Sequence, residues 1–248
     1  MTQKSAPAPV VSANRRPFLT LPFICLTALF VACLIMSNLI EIKTVPLGPF
    51  TVTAGLAVFP ISYIINDCIV EVYGFRPARL VIWLGFALSL ITALLLQLAI
   101  ALPGTDDWQH QEAMEAIYGS VPRIMIASFT AFICGSMVNA YVMSIMKRRA
   151  SRTAVGHKRL TFSLRAIIST LWGEGVDSII FFPIAFAGAL TWSTIASLII
   201  AQALLKTLYE ILVLPVTVII VQRLKRLERL DTIDPSGTDY RWWRLTDL

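Results

Sequence analysis

The chain has 248 residues, of which 56% are hydrophobic and 15% charged, and its net charge is +6. A water-soluble domain carries roughly 25% charged residues, whereas several apolar runs here pass the roughly 18 residues that are typical of a membrane span. The composition therefore excludes a single soluble globule and a disordered chain, and it indicates an integral membrane protein.

Six apolar runs are each long enough to cross about 30 Å of bilayer hydrocarbon as a helix of about 20 residues. In chain order they cover 18–40, 54–73, 80–102, 123–146, 166–190 and 195–221. We therefore expect an all-α membrane protein with three parts, which are a polar N-terminal segment at 1–17, a six-span domain at 18–221 and a tail at 222–248.

Two of the connections have patterns of their own. Residues 44–53 place two prolines and a glycine among β-branched residues, which predicts a hairpin or an ordered turn. Residues 105–119 begin with a possible helix cap at Thr105 and have acids in their first turn. We expect this second segment to form a helix that lies at the membrane interface.

The basic residues cluster in particular connections. The 147–165 connection holds seven bases and no acid, whereas the 105–120 connection holds four acids and no base. The other basic clusters precede the first span or follow the second and the sixth. With six spans all of them fall on one side, which the positive-inside rule identifies as the cytoplasm. Both termini are then cytoplasmic, and because the charge reports topology we expect no nucleic-acid partner.

Nothing in the sequence predicts a metal or a cofactor. The four cysteines lie inside apolar runs without a CxxC pair, and the two histidines lie in separate predicted loops. Cysteines in such positions are typical of small buried side chains. The chain also has no GxxxxGK[ST] stretch, so it does not hydrolyse ATP through a P-loop.

The predicted spans contain ionisable residues, and insertion scales put the cost of one such side chain at a helix centre near +2.5–3.5 kcal/mol. They form three pairs whose spacing places both members on one helical face. These pairs are Asp67 with Glu71, Glu174 with Asp177, and Lys206 with Glu210. Because one lysine cannot neutralise five acids, we expect these side chains to converge on a shared pocket that binds a ligand, a cation or a proton.

Other residues extend this pattern. An amide in the fourth span and two aromatic rings in the fifth are further candidates for the pocket: Asn139, Trp172 and Phe181. Residues near span ends or at expected helix breaks are candidates for structural or gating roles: Asn38, Pro60, Arg123 and Pro183. A carboxylate can accept two parallel hydrogen bonds from the N–H groups of an aminopyrimidinone edge. Aromatic side chains can stack on the faces of the same planar ligand. A flat, nitrogen-rich ligand suits such a pocket, but a cationic amine suits it as well, so the residues alone leave the ligand open.

The order of these residues resembles a known family. The stretch Phe59-Pro60, Tyr63-x3-Asp67-x3-Glu71-x-Tyr73-Gly74-x3-Ala78-Arg79 is similar to the signature of the queuosine precursor transporters, formerly the vitamin uptake transporter family. Two later stretches match as well: Pro122-Arg123-Ile124-x2-Ala127-Ser128 with Gly135 and Asn139, and Ser169-Thr170-x3-Glu174-x2-Asp177-Ser178 with Ile184-Ala185-Phe186. Together these matches cover about residues 20–225.

The resemblance implies import of 7-cyano-7-deazaguanine or its aminomethyl relative, which are 7-deazapurines salvaged for the queuosine of tRNA. It also implies a bacterial inner membrane and a six-helix fold similar to the substrate-binding components of energy-coupling-factor transporters. The residues that it carries over are Asp67, Glu71, Arg79, Asn139, Glu174 and Asp177, with Arg79 in a structural or gating role. Some relatives carry an acid where this chain has Asn139.

We therefore expect a transporter and not an enzyme. In the expected secondary carrier, Glu174 and Asp177 bind the N–H edge of the base, Lys206 pairs with Glu210, and spans one to three rock against spans four to six. The expected partners are the small-molecule base, the lipid bilayer and a second copy of the chain, since small carriers are commonly paired.

Two alternatives stay open. One is a substrate-binding component that depends on a partner ATPase. The other is a membrane phosphotransferase, because the stretch that begins at Asp67 resembles the metal motif of such enzymes. That motif needs two further acids on the next helix, and no Asp or Glu lies between Arg79 and Thr105.

Overall fold

The computed structural model describes residues 20–48, 50–150 and 158–228, and this part of the chain is mostly helical, as predicted. Its helices are α1 Leu21–Ile40, α2 Phe59–Tyr73, α3 Phe75–Ala101, α4 Gln111–Tyr118, α5 Val121–Ala150, α6 Lys158–Phe186 and α7 Trp192–Glu228. Two strands, β1 Thr44–Leu47 and β2 Phe50–Thr53, and a 3-10 turn at Ala54–Ala57 connect α1 to α2. The predicted segment 1–17 and the tail beyond residue 228 lie outside the described residues.

Four helical stretches of the described chain are long and apolar enough to cross a membrane. They are Leu21–Ile40, Arg76–Ala101, Gln111–Ser136 and Trp192–Val213, and Phe59–Val70 is a shorter apolar helix. Large apolar side chains such as Leu94 and Leu212 are mostly exposed on the outside of these helices. A surface of this kind is expected where lipid is the solvent.

The β1–β2 hairpin confirms the turn predicted for 44–53. The two strands are antiparallel, with Thr44 opposite Thr53 and Leu47 opposite Phe50. Gly48 adopts a φ of 60° in the turn, a conformation that glycine adopts without strain. The hairpin folds back onto the helices, because β2 packs against α7 and its last residue, Thr53, is buried.

The second predicted span begins later than expected. The sequence predicted a helix from residue 54 with Pro60 as a break at membrane depth, but α2 starts at Phe59, so Pro60 lies in its first turn. A proline there costs nothing, because the N–H that it lacks would have had no partner inside the helix. Pro60 therefore lies at the start of a helix and not inside one, whereas Pro183 does lie inside α6.

The connection between the third and fourth predicted spans is helical only in part. The expected helix at 105–119 is confirmed as α4, which starts at Gln111 instead of close to Thr105. The Gln111 side chain fixes this start, since it donates to the carbonyl of Ile100 at the end of α3 and to Glu115 one turn later.

The helices form two main apolar cores. One lies mainly among α1, α2 and α3 and includes Phe30 and Ile69. The other lies among α5, α6 and α7 and includes Phe182 and Leu198. Within the first group, Gly74 is the single residue between α2 and α3, and its φ is 91°.

The closest helix crossing joins α5 to α6. A Cβ atom built on Gly135 would lie 2.9 Å from the Gly173 carbonyl oxygen and 3.0 Å from the Asp177 Cβ atom. A Cβ atom on Gly173 would lie 2.8 Å from the Cβ atom of Asn139. Small residues allow helix backbones to approach this closely in a membrane, and this crossing fixes the position of Asp177.

Candidate functional site

An ion cluster lies between α6 and α7. The Lys206 Nζ atom is 3.0 Å from Asp177 Oδ2 and 3.4 Å from Glu174 Oε2, and all three side chains are largely buried. The ring of Phe59, at the start of α2, lies 4.5 Å from the same Nζ atom. The cluster thus joins both groups of helices, and a cation over an aromatic face adds a modest attraction.

The local sequence of α6 explains why two carboxylates face Lys206. Glu174 and Asp177 are three residues apart and share one face of α6, and the glycine crossing with α5 holds that face in place. Removing one partner from a buried ion pair costs about 3–5 kcal/mol, because the other charge remains uncompensated. The structure therefore brings together three of the predicted residues, with Lys206 as the cation that the two carboxylates share.

Glu210 does not take part in this ion pair as predicted. Its Oε1 atom accepts a hydrogen bond of 3.2 Å from the Thr170 hydroxyl of α6. The prediction that Lys206 pairs with Glu210 is wrong, because α6 presents two carboxylates to the lysine from the facing helix.

A hydrogen-bonded chain next to the cluster was missed by sequence reasoning. Thr53 donates to Glu41 Oε1 over 2.6 Å, and the amide nitrogen of Gln202 donates to the Thr53 hydroxyl. A Cβ atom on Gly55 would meet Glu41 Oε2, so only glycine leaves room for this carboxylate. Glu41 directly follows the first span, so in the sequence it resembles an ordinary loop acid. Gln202 lies one turn before Lys206, and this position did indicate that its side chain lies near the charged residues.

Several buried side-chain polar atoms of the described residues form no hydrogen bond, and three of them bear on the site. They are Gln202 Oε1, Ser178 Oγ and Asn38 Nδ2. Gln202 and Ser178 belong to the two helices that carry the ion cluster, and Asn38 lies in the last turn of α1. Buried groups of this kind are rare in folded proteins, so each one calls for an explanation.

The remaining predicted residues of the site are placed as follows. Asn139 lies at the α5–α6 crossing beside Gly173. Phe181 is buried in the second apolar core, where its ring contacts Phe182. The Trp172 side chain is 61% exposed and is not brought to the cluster, because two residues of separation point it away from Glu174.

The backbones of Asp67 and Glu71 lie in α2, but their side chains lie outside the described part of the structure. Arg79, near the start of α3, is almost fully buried. Among the described residues there is no group of three His, Cys, Asp or Glu that could hold a metal ion.

Arg123 has a structural contact at the end of α6. Its Nε atom donates to the Ile184 carbonyl and its Nη2 atom donates to the Ala187 carbonyl over 2.7 Å. The last carbonyls of a helix lack partners within the helix, so this side chain satisfies groups that otherwise depend on water.

Replacing Arg123 with alanine is expected to reduce stability modestly. Two hydrogen bonds from a largely exposed side chain contribute about 1 kcal/mol, which corresponds to a fall of about 2–4 °C in the melting temperature. Thermal unfolding of the purified protein in detergent measures this fall. Arg76→Ala, at an exposed position of α3, is the matched control and should leave the melting temperature unchanged; an equal fall in both variants would contradict the assignment.

Comparison with known proteins gives a consistent result. The family described as vitamin uptake transporters matches residues 53–220. A probable queuosine precursor transporter of Bacillus subtilis (strain 168) is 29% identical over 73% of this chain and 76% of its own length. A queuosine precursor transporter of Escherichia coli (strain K12) is 32% identical over 60% of this chain and 61% of its own length. No solved structure matches the chain.

Proposed function

The chain belongs to the vitamin uptake transporter family, and from this membership we propose that it imports queuosine precursors of the 7-deazapurine class, such as 7-cyano-7-deazaguanine. It is a multi-pass protein of the bacterial inner membrane. Its relatives are named as transporters, which confirms the prediction of a transporter and not an enzyme.

The observation that carries the proposal is the ion cluster of Lys206, Glu174 and Asp177. The aminopyrimidinone edge of a deazaguanine presents neighbouring N–H groups and a carbonyl. A carboxylate of the cluster accepts the N–H groups, and Lys206 donates to the carbonyl. In the structure Lys206 contacts both carboxylates, so substrate binding exchanges part of these contacts for hydrogen bonds to the base.

The proposed substrate site is centred on this ion cluster. Its core comprises Glu174, Asp177 and Lys206, with Asp67, Glu71, Asn139 and Glu210 in supporting positions. Phe59 is a better candidate than Trp172 for an aromatic contact, because its ring already lies over the Lys206 ammonium.

The proposed topology has six spans with both termini in the cytoplasm. The helices α1, α2, α3, α5, α6 and α7 are the six spans, and α4 with its acids lies at the outer surface. We further propose an architecture similar to the substrate-binding components of energy-coupling-factor transporters, and a homodimer. The two apolar cores support a carrier in which α1–α3 move against α5–α7.

Reconstitution into lipid vesicles tests the proposal. The purified protein alone should move radiolabelled 7-cyano-7-deazaguanine down its gradient without ATP, and protein-free vesicles provide the control. Binding without uptake would contradict the secondary carrier and favour a component that needs a partner ATPase. The absence of both binding and uptake would overturn the proposed substrate.

A further inference from the structure

Two hydrogen bonds link Glu41, Thr53 and Gln202, which lie in three distant parts of the sequence. Glu41 follows α1, Thr53 ends β2 and Gln202 lies in α7. Glu41 is 8% exposed, and the other two residues are 1% exposed. Three polar residues buried to this extent form an internal hydrogen-bonded network and not a surface contact.

Each hydrogen bond in this network has a defined donor. The Thr53 hydroxyl donates its single hydrogen to Glu41 Oε1. The Thr53 oxygen can then only accept, so Gln202 turns its NH₂ group toward it. The carbonyl oxygen of Gln202 is left over, and it has no hydrogen-bond partner among the described residues.

The Gln202 side chain, which carries this oxygen, lies near the ion cluster. Gln202 is one helical turn before Lys206, so the two side chains share a face of α7. Glu41 interacts electrostatically with both Lys206 and Asp177. A buried acceptor without a donor destabilises the fold by its desolvation penalty. A ligand that supplies a donor to this oxygen would remove the penalty, and binding would be stronger by that amount.

We propose that the Gln202 carbonyl oxygen is a further substrate-binding group that accepts the pyrrole N–H of a 7-deazapurine base. This inference rests on the proposed function. A fused bicyclic base that gives its pyrimidine edge to Glu174 and Asp177 presents the pyrrole N–H on another edge, where a second acceptor is needed. Glu41 and Thr53 act as positioning residues, because they hold the amide with its oxygen toward the ligand. The site then takes free bases and rejects those that carry a substituent on the pyrrole nitrogen.

Competition in lipid vesicles tests this role. Uptake of radiolabelled 7-cyano-7-deazaguanine is measured against two unlabelled competitors, the same base and its derivative methylated at the pyrrole nitrogen. With the natural chain, the methylated base should compete at least about tenfold more weakly, because it leaves the Gln202 oxygen unpaired.

The variant Gln202→Met removes the acceptor at a similar side-chain size. Its KM for the parent base should rise about tenfold with little change in maximal rate, and the two competitors should become nearly equal. Thr53→Val removes the hydroxyl that orients the amide and should reduce the preference about threefold. Gln97→Met is the matched control, because that amide donates to the Tyr118 carbonyl away from the cluster; it should keep the full preference.

The results separate the inference from the function on which it rests. Full preference for the unmethylated base in both Gln202→Met and Thr53→Val overturns the role of Gln202 and leaves the proposed function intact. If Gln202→Met does not fold, Thr53→Val alone decides, and an unchanged preference in that variant overturns the inference. Failure of the natural chain to take up or bind the labelled base overturns the proposed function itself.

Discussion

Uptake of radiolabelled 7-cyano-7-deazaguanine should fall at least tenfold when Asp177 is replaced by asparagine. Asp177 Oδ2 forms the shorter of the two ion contacts of Lys206, at 3.0 Å. Loss of one partner from a buried pair costs about 3–5 kcal/mol, and each 1.4 kcal/mol lost from substrate binding corresponds to about a tenfold change. Glu174 remains beside the lysine in this variant, so we expect the protein to fold.

Two further variants separate substrate binding from folding. The double variant Asp177→Asn with Lys206→Met removes both members of the closer pair and leaves Glu174 without its cation. It should therefore melt at a lower temperature than the natural chain, and it should not transport. Glu112→Gln removes an exposed acid of α4 and should transport normally. Unimpaired uptake by Asp177→Asn would remove Asp177 from the site, and restored uptake in the double variant would mean that the pair is only structural.

Replacing Gly173 with alanine should lower the melting temperature by several degrees. The new Cβ atom would lie 2.8 Å from the Cβ atom of Asn139 and 3.1 Å from the Gly135 carbonyl oxygen. Both contacts are too close, so α5 and α6 must separate, and overpacking of this kind costs about 1–3 kcal/mol. Because the crossing also positions Asp177, uptake should fall together with stability.

Gly175→Ala is the matched control for this prediction. A Cβ atom on Gly175 meets nothing within 4 Å, and the residue lies in the same helix only two positions away. Alanine is favoured over glycine in a helix by about 0.5–1 kcal/mol, so this variant should be as stable as the natural chain or slightly more so. Thermal unfolding in detergent measures both variants, and equal melting temperatures would contradict the close crossing.

The sequence predicted which residues form the charged centre better than it predicted their partners. Ionisable residues are costly in hydrocarbon, so Glu174, Asp177 and Lys206 stood out from the apolar spans around them. Pairs within one helix follow from spacing alone, and this favoured Lys206 with Glu210. The actual pairing crosses from α7 to α6 and depends on how the helices are rotated and how closely they approach, which a single sequence does not specify.

The residues that sequence reasoning missed share a different cause. Glu41 lies immediately after a span, where acids are common and usually solvated. Its burial results from the hairpin folding back onto α7, a tertiary contact without a local pattern. Similarly, Pro60 was expected inside a helix because the apolar run continues through it, and the short 3-10 turn before it interrupts the helix without interrupting hydrophobicity.

The single residue between α2 and α3 has a geometric consequence. With only Gly74 between them, the direction in which α2 leaves α3 is set by the backbone angles of one residue. The far end of α2 is Phe59, whose ring covers the Lys206 ammonium. The 15 residues of α2 therefore join the Gly74 turn at one end to the aromatic contact of Lys206 at the other.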